Sequence, residues 1–173
     1  LNGKLLFPEH TYSFYPVYCD FYGIPYEKVP MKPDFSIDMK SFPDYKKNAG
    51  LIFPNPNAPT GILTPLAEVE NLLKKFPANR LVAIDEAYID FGGESAVSLI
   101  NKYDNLLVIK TYSKSMSLAG IRLGYALGNE RLIDALFAVK DSFNSYPIDV
   151  LTLKIAETAL SDMDYYNRVN QLI

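Results

Sequence analysis

Leu81-Val82-Ala83-Ile84-Asp85-Glu86-Ala87-Tyr88 passes within one short stretch from an unbroken apolar run to a carboxylate, and then to a phenol three positions on. An apolar run rich in Val, Ile and Leu with no polar alternation reads as a strand buried on both faces, the kind a parallel sheet contains. Asp85 and Tyr88 then stand just past the carboxyl end of that strand. In open α/β sheets this is where ligands sit, in the crevice outside the strand ends.

Working outward, similar runs bounded by Pro, Gly or Asn recur on both sides. The strand candidates are Lys4 to Phe7, Gly23 to Lys28, Gly50 to Pro54, Arg80 to Asp85, Leu106 to Lys110 and Leu123 to Gly128. Segments of helical period fall between several of them, giving the βα alternation of an α/β three-layer domain around a mostly parallel sheet. Thr64-Pro65 followed by Glu68 reads as an N-cap, a proline at the first helical position and an acid in the first turn, so helix is expected from Pro65 to Phe76 with Leu66, Val69, Leu72 and Leu73 on one face. Tyr12 to Tyr22, Asn129 to Lys140 and Leu151 to Leu160 are the other helix candidates. The stretch Pro30 to Asn48, with several prolines and many charges, reads as a crossing loop carrying a short helix.

Composition narrows the function classes. The chain has 173 residues, an apolar fraction of 49% and a formal net charge of −3, which suits one domain with its own core and offers no basic face to a nucleic-acid backbone. Cys19 is the single cysteine and His10 the single histidine, so neither an internal disulfide nor a Cys/His metal site can be built. No apolar run approaches the ~20 residues of a membrane span, and Leu1-Asn2-Gly3-Lys4 lacks the layout of a signal peptide, so a soluble cytoplasmic protein is expected. The missing initial methionine and the stop at Gln171-Leu172-Ile173, inside what reads as a helix, make both ends look cut.

Four segments directly after strand candidates carry groups that a charged, planar, phosphorylated coenzyme needs. Asp85 could pair with a protonated pyridine nitrogen and keep the ring an electron sink, with the Tyr88 phenol on a ring oxygen; a helix cap or turn is the plainer reading of Asp85. In Val108-Ile109-Lys110-Thr111-Tyr112-Ser113-Lys114 the strand runs into a turn with two hydroxyls and an amine. A lysine amine activated by desolvation or a nearby cation can form a Schiff base with an aldehyde, while Thr111 and Ser113 could donate to phosphate oxygens; most lysines are simply solvated. Ala119-Gly120-Ile121-Arg122-Leu123-Gly124-Tyr125 sets an arginine between glycines, and a guanidinium matches a phosphate dianion, although a surface salt bridge fits as well. Phe53-Pro54-Asn55-Pro56-Asn57-Ala58-Pro59-Thr60-Gly61 is a proline-stiffened loop in which Ala58-Pro59 or Asn55-Pro56 is a candidate cis bond, and which could present an amide group to a ligand or be only a turn. The aromatic group Thr11-Tyr12-Ser13-Phe14-Tyr15 offers a flat face for stacking, or ordinary core packing.

In order and spacing these segments resemble the fold-type-I pyridoxal-phosphate (PLP) enzymes, and within them the histidinol-phosphate aminotransferases, over nearly the whole chain. The resemblance implies Lys114 as the Schiff-base lysine and proton carrier, Asp85 on the pyridine nitrogen, Tyr88 on the ring oxygen, Tyr12 stacked on the ring, and Thr111, Ser113 and Arg122 as the phosphate cup. Many relatives have Asn immediately before Pro-Thr-Gly, where it bonds the ring oxygen; this chain has Ala58 there, which leaves Asn57 as the candidate for that role.

The resemblance further implies a PLP-binding large domain over residues 1–160 and, over 161–173, the start of a linker helix towards a C-terminal small domain. The family's Gly-rich phosphate segment, N-terminal arm and substrate-carboxylate arginine are not in the sequence, so this piece alone is expected to be inactive. For the intact protein the resemblance implies a homodimer and amino transfer from histidinol phosphate to 2-oxoglutarate in histidine biosynthesis. An aromatic amino acid aminotransferase, a threonine-phosphate decarboxylase and a non-catalytic folded fragment are the alternatives.

Overall fold

The computed structural model describes residues 3–42 and 48–173 and holds a six-stranded sheet in the order β2-β1-β3-β4-β5-β6. The strands are β1 (Leu5–Pro8), β2 (Tyr26–Val29), β3 (Gly50–Pro54), β4 (Leu81–Asp85), β5 (Leu106–Thr111) and β6 (Gly124–Gly128). Neighbours are parallel from β2 across to β5, and β6 alone runs antiparallel to β5, with Thr111 opposite Gly124. The expected largely parallel α/β sheet is therefore present.

Among the described residues five α-helices accompany it: α1 (Phe14–Tyr22), α2 (Leu66–Lys75), α3 (Glu130–Phe143), α4 (Val150–Leu160) and α5 (Met163–Asn170). Successive strand residues face opposite sides, and both sides are filled. Leu6, Leu51, Phe53, Val82, Ile84, Leu106 and Val108 pack with Val69, Leu72 and Leu73 of α2, each burial of this kind stabilising by roughly 1.5–3 kcal/mol. Phe7 meets Tyr15 and Cys19 of α1 on the other side. A third cluster, Tyr112 and Met116 with Ala156 and Ala159, seats the turn after β5 on α4.

Two local expectations are corrected. Thr64 does not cap α2: its N–H donates to Asn55 Oδ1 at 2.8 Å and its carbonyl accepts from Asn55 Nδ2 at 3.0 Å, so the residue is held by the proline loop and Pro65 occupies the cap position. The short helix expected between Pro30 and Asn48 is absent from the described residues 30–42, where Asp34 Oδ1 accepts the Ser36 N–H and Asp38 Oδ1 accepts the Lys40 N–H. Those Asx turns compete with helical bonding for the same backbone donors. Residues 43–47 of that segment, and Leu1-Asn2 at the start, lie outside the described residues.

β6 departs from the doubly buried pattern, with Gly124 and Tyr125 exposed at its start. The helix that follows, α3, buries none of its residues and leaves Leu136, Phe137, Val139 and Phe143 exposed. Among the described residues no helix is long and apolar enough to cross a membrane.

Candidate active site

Three neighbouring parallel strands deliver three loops to one edge of the sheet. Pro54, Asp85 and Ile109 are level with one another across β3, β4 and β5, so whatever follows each strand meets the others. The chain direction of β6 adds a fourth contributor: because it runs antiparallel, its first residues lie beside the last residues of β5, which brings Arg122 to the same edge. β1 sits where the sheet order switches, and its following loop carries Tyr12.

The result is a cavity of about 410 Å³. Tyr12, Asp85, Tyr88, Thr111, Ser113, Lys114 and Arg122, seven of the eight residues singled out from the sequence, line it together. The amine, the acid and the guanidinium, far apart in sequence, thus face one space.

Lys114 Nζ stands 5.0 Å from the centre of the Tyr88 ring, a cation–π distance, and makes no ion pair among the described residues. It belongs to a tightly built turn. Thr111 Oγ1 accepts the Ser113 N–H at 3.1 Å and donates to the Leu123 carbonyl at 3.4 Å, and the Ser117 N–H returns to the Lys114 carbonyl at 2.8 Å. Ser113 Oγ has no partner within the chain among the described residues, so its hydroxyl is available to a ligand. Arg122 donates through Nη1 to the Ala119 carbonyl at 3.1 Å, and it adopts the left-handed conformation, with φ of 53°, that a Cβ-bearing residue takes only at a cost.

Asp85 is the buried acid of the site. Its Oδ1 accepts the Ala87 N–H at 3.0 Å and its Oδ2 accepts the Tyr15 hydroxyl at 3.2 Å. Burial pushes its pKa above the ordinary carboxylate range, against the pull of those two donors and of the Lys114 charge. A buried acid so compensated still lacks a full positive partner, which is what a protonated ring nitrogen supplies. The Tyr15 phenol is itself pushed far up by burial and by the neighbouring carboxylate, so it donates throughout the physiological range. Tyr12 is 44% exposed and meets Tyr15 edge-on at 5.6 Å, which braces it while keeping part of its surface free.

Asn57 stands apart from the others. It does not line this cavity, it is 1% exposed, and its amide is fully engaged: Nδ2 donates to the His10 carbonyl at 2.9 Å and to Thr60 Oγ1 at 3.0 Å, and Oδ1 accepts from Thr11 Oγ1 at 3.0 Å. The position in the cavity wall belongs to Ala58, the residue before Pro-Thr-Gly. Both candidate X-Pro bonds, Asn55-Pro56 and Ala58-Pro59, are cis.

Several contributors were not singled out from the sequence. Tyr15 was read only as part of an aromatic face. Glu86, 1% exposed, accepts the Ala96 N–H at 2.6 Å and the Ser95 hydroxyl at 2.5 Å, anchoring the 3₁₀ turn Ala96–Leu99 behind the site. Lys110 also contributes to the cavity lining, with its amine donating to Asp90 Oδ1 at 2.9 Å. The only sequence signal for it is its place in β5, four residues before Lys114.

The donor set suits PLP: an amine for the aldehyde, an acid for the ring nitrogen, a phenol for the ring oxygen, a hydroxyl and a guanidinium for the phosphate, and an aromatic face for stacking. Among the described residues no group of three His, Cys, Asp or Glu could hold a metal ion.

Comparison with known proteins gives a consistent picture. The model of the class I and II aminotransferase family matches residues 2–172. A histidinol-phosphate aminotransferase of Syntrophus aciditrophicus is 58% identical over 168 residues, covering 96% of this chain and 46% of that protein. One from Pseudomonas entomophila is 56% identical over 169 residues, covering 96% and 47%. The chain spans about half the length of these curated relatives. Among solved structures, the histidinol-phosphate aminotransferase of Clostridium acetobutylicum superposes with a TM-score of 0.88 at 26% identity, covering 98% of this chain and 52% of that one. That of Sinorhizobium meliloti, solved in complex with pyridoxal-5′-phosphate, shares the fold with a TM-score of 0.87 at 22% identity, covering 97% and 46%.

Proposed function

We propose, for a chain that belongs to the class I and II aminotransferase family, that it is the coenzyme-binding part of a PLP-dependent aminotransferase which moves an amino group from histidinol phosphate to 2-oxoglutarate. The observation that carries the reading is the convergence of Lys114, Asp85 and Arg122 on one cavity of about 410 Å³. The identities of 58% and 56% to histidinol-phosphate aminotransferases favour that amino donor over the aromatic and threonine-phosphate alternatives.

Bound PLP would supply an aldehyde to take the amino group and a ring to accept electrons from the substrate Cα. The chain's residues then divide the work. The Lys114 amine would hold the coenzyme aldehyde and, once free, would be the group placed to move the proton at the substrate Cα. Tyr88, beneath the Lys114 amine, places its hydroxyl for the ring oxygen and its ring as a support for the ammonium. Asp85 keeps the ring nitrogen protonated, and Tyr15 and the Ala87 N–H keep Asp85 aimed. Ser113 and Arg122 hold the phosphate, with Thr111 tying the backbone of their turn and Tyr12 covering one face of the ring.

Asn57 contributes by fixing the loop that carries Ala58, a role supported by its three hydrogen bonds to residues 10, 11 and 60. Residues 1–160 are proposed as the coenzyme-binding large domain and 161–173 as the beginning of a linker towards a small domain, which the full-length protein would need for turnover. A homodimer is part of the proposal, and the sedimentation mass of the full-length protein tests it.

Absorbance gives the direct test. Full-length protein with PLP should show the visible or near-ultraviolet band of a lysine-bound coenzyme and transaminate histidinol phosphate in preference to phenylalanine. Lys114→Ala should lose both. A folded wild-type protein with no band, or a Lys114→Ala variant that keeps it, ends the reading.

A further inference from the structure

The amine of Lys114 and the phenol of Tyr88 serve neighbouring atoms of one ring, since the aldehyde and the ring oxygen of PLP stand on adjacent ring carbons. They come from different loops. Tyr88 belongs to the loop after β4 and Lys114 to the turn after β5, with Lys114 Nζ 5.0 Å from the centre of the Tyr88 ring. A spacing between long side chains on two loops holds only where the loops themselves are joined.

The joint is a side-chain pair beside both residues. Ser115, next after Lys114, is 3% exposed and donates its hydroxyl to Asp90 Oδ2 at 2.7 Å. Asp90 lies two residues past Tyr88 in the 3₁₀ turn Ile89–Phe91, whose Phe91 N–H returns to the Tyr88 carbonyl at 3.2 Å, so Tyr88 and Asp90 sit in one tight unit. The other Asp90 oxygen accepts the Lys110 amine at 2.9 Å, which ties the same carboxylate to β5. Beyond Ser115, Met116 is buried with Ala156 and Ala159 of α4. Neither Ser115 nor Asp90 lines the coenzyme cavity, so their bond serves the loops and not the ligand.

Resting on the PLP reading above, we propose that Ser115 is a positioning residue: through its bond to Asp90 it holds the Lys114 turn against the Tyr88 loop, so that amine and phenol meet the aldehyde carbon and the ring oxygen together. The lysine nitrogen adds to the aldehyde carbon and the aldehyde oxygen leaves as water, giving a C=N nitrogen that shares one proton with the anionic ring oxygen beside it. A phenol donating to that oxygen stabilises its negative charge and loosens the shared proton. Where the turn slips and the phenol loses its reach, the proton is held more tightly.

The test titrates full-length protein loaded with PLP, and the absorbance of the lysine-bound coenzyme reports the pH at which the shared proton leaves. Ser115→Ala should raise that midpoint by about half to one pH unit, the worth of one hydrogen bond. Ser115→Cys, a weaker donor of similar shape, should fall between. Tyr88→Phe should raise the midpoint as well, and adding Ser115→Ala to it should move it no further, because the bond that Ser115 serves is already gone. On an Asp90→Ala background, Ser115→Ala should likewise add nothing.

An unmoved midpoint in Ser115→Ala, even with a lowered urea midpoint, overturns the proposal, since the bond would then only prop the fold. A rise that persists undiminished on the Tyr88→Phe background overturns it too. Should Ser115→Ala not fold, Ser115→Cys decides, and a midpoint equal to wild type ends the idea. Wild-type protein that shows no band with PLP overturns the PLP reading itself, a distinguishable failure.

Discussion

The Tyr15 hydroxyl donates to Asp85 Oδ2 at 3.2 Å, joining the first helix to the end of the fourth strand across 70 positions of sequence. This bond is one of two from the protein that hold the acid; the other is the Ala87 N–H on Oδ1. Tyr15 is itself fixed by its packing on Phe7, at 5.8 Å between ring centres, so the donor has little freedom to leave. Tyr15→Phe keeps that packing and removes only the hydroxyl. A hydrogen bond to a charged group is worth about 1.5–3 kcal/mol, which puts the expected loss of PLP affinity in the full-length protein at roughly ten- to hundred-fold. Equilibrium dialysis measures it, and an unchanged Kd would remove Tyr15 from the site.

The same acid gives the stability of the coenzyme-free protein a pH signature. Burial raises the Asp85 pKa in the folded state above its unfolded value, so between those values the folded chain binds the extra proton. Its contribution is present in full below the ordinary aspartate range and is lost as pH rises through the raised folded value. Asp34, Asp38 and Asp149 are shifted the other way by hydrogen bonds from Ser36, Ser41 and Thr152, and they lose stability as pH falls. Their effect cancels when Asp85→Asn is compared with wild type at each pH. The gap in urea midpoint should widen in favour of Asp85→Asn as pH rises from the ordinary carboxylate range towards neutrality. A gap that stays flat contradicts the burial argument.

Much of this architecture could be read from sequence because it rests on local pattern. Val, Ile and Leu runs without alternation mark strands buried on both faces, and β3, β4 and β5 lie where such runs do. The site was legible for a related reason: groups placed just after parallel strands must share one edge, which brings Asp85 and Lys114 together without further information. Contacts that depend on loop conformation were not legible. The cap of α2 failed because Thr64 is drawn to Asn55, nine residues upstream, and no helix-start pattern records such a bond. Tyr15, Glu86 and Asp90 act through partners fixed only by tertiary packing.

Asn57 offers a way to separate a structural from a ligand-touching role. Its buried amide ties the loop carrying Tyr12 to the proline loop through Thr11, His10 and Thr60. Asn57→Ala leaves those partners unsatisfied, and with each bond worth about 1 kcal/mol the coenzyme-free protein should lose roughly 2–3 kcal/mol by denaturant titration. A residue that only touches the coenzyme would behave oppositely, with stability intact and Kd raised. That second pattern would return Asn57 to the ring oxygen.

Arg122 should show the trade between stability and function most directly. It is held at φ of 53°, where a Cβ costs about 1–2 kcal/mol, and among the described residues its guanidinium makes only an exposed bond to the Ala119 carbonyl. Such a conformation persists where it aims a side chain at a ligand, here towards the space expected for the phosphate. Arg122→Gly relieves the backbone, and the greater freedom of glycine in the unfolded chain offsets part of the gain, so coenzyme-free stability should be unchanged or higher by up to about 1 kcal/mol. The same variant loses a charge-assisted contact, and its affinity for PLP should fall roughly ten- to hundred-fold. Pyridoxal, which carries no phosphate, should bind wild type and variant alike. Equal loss for both compounds would mean that the guanidinium supports the cavity wall and does not read the phosphate.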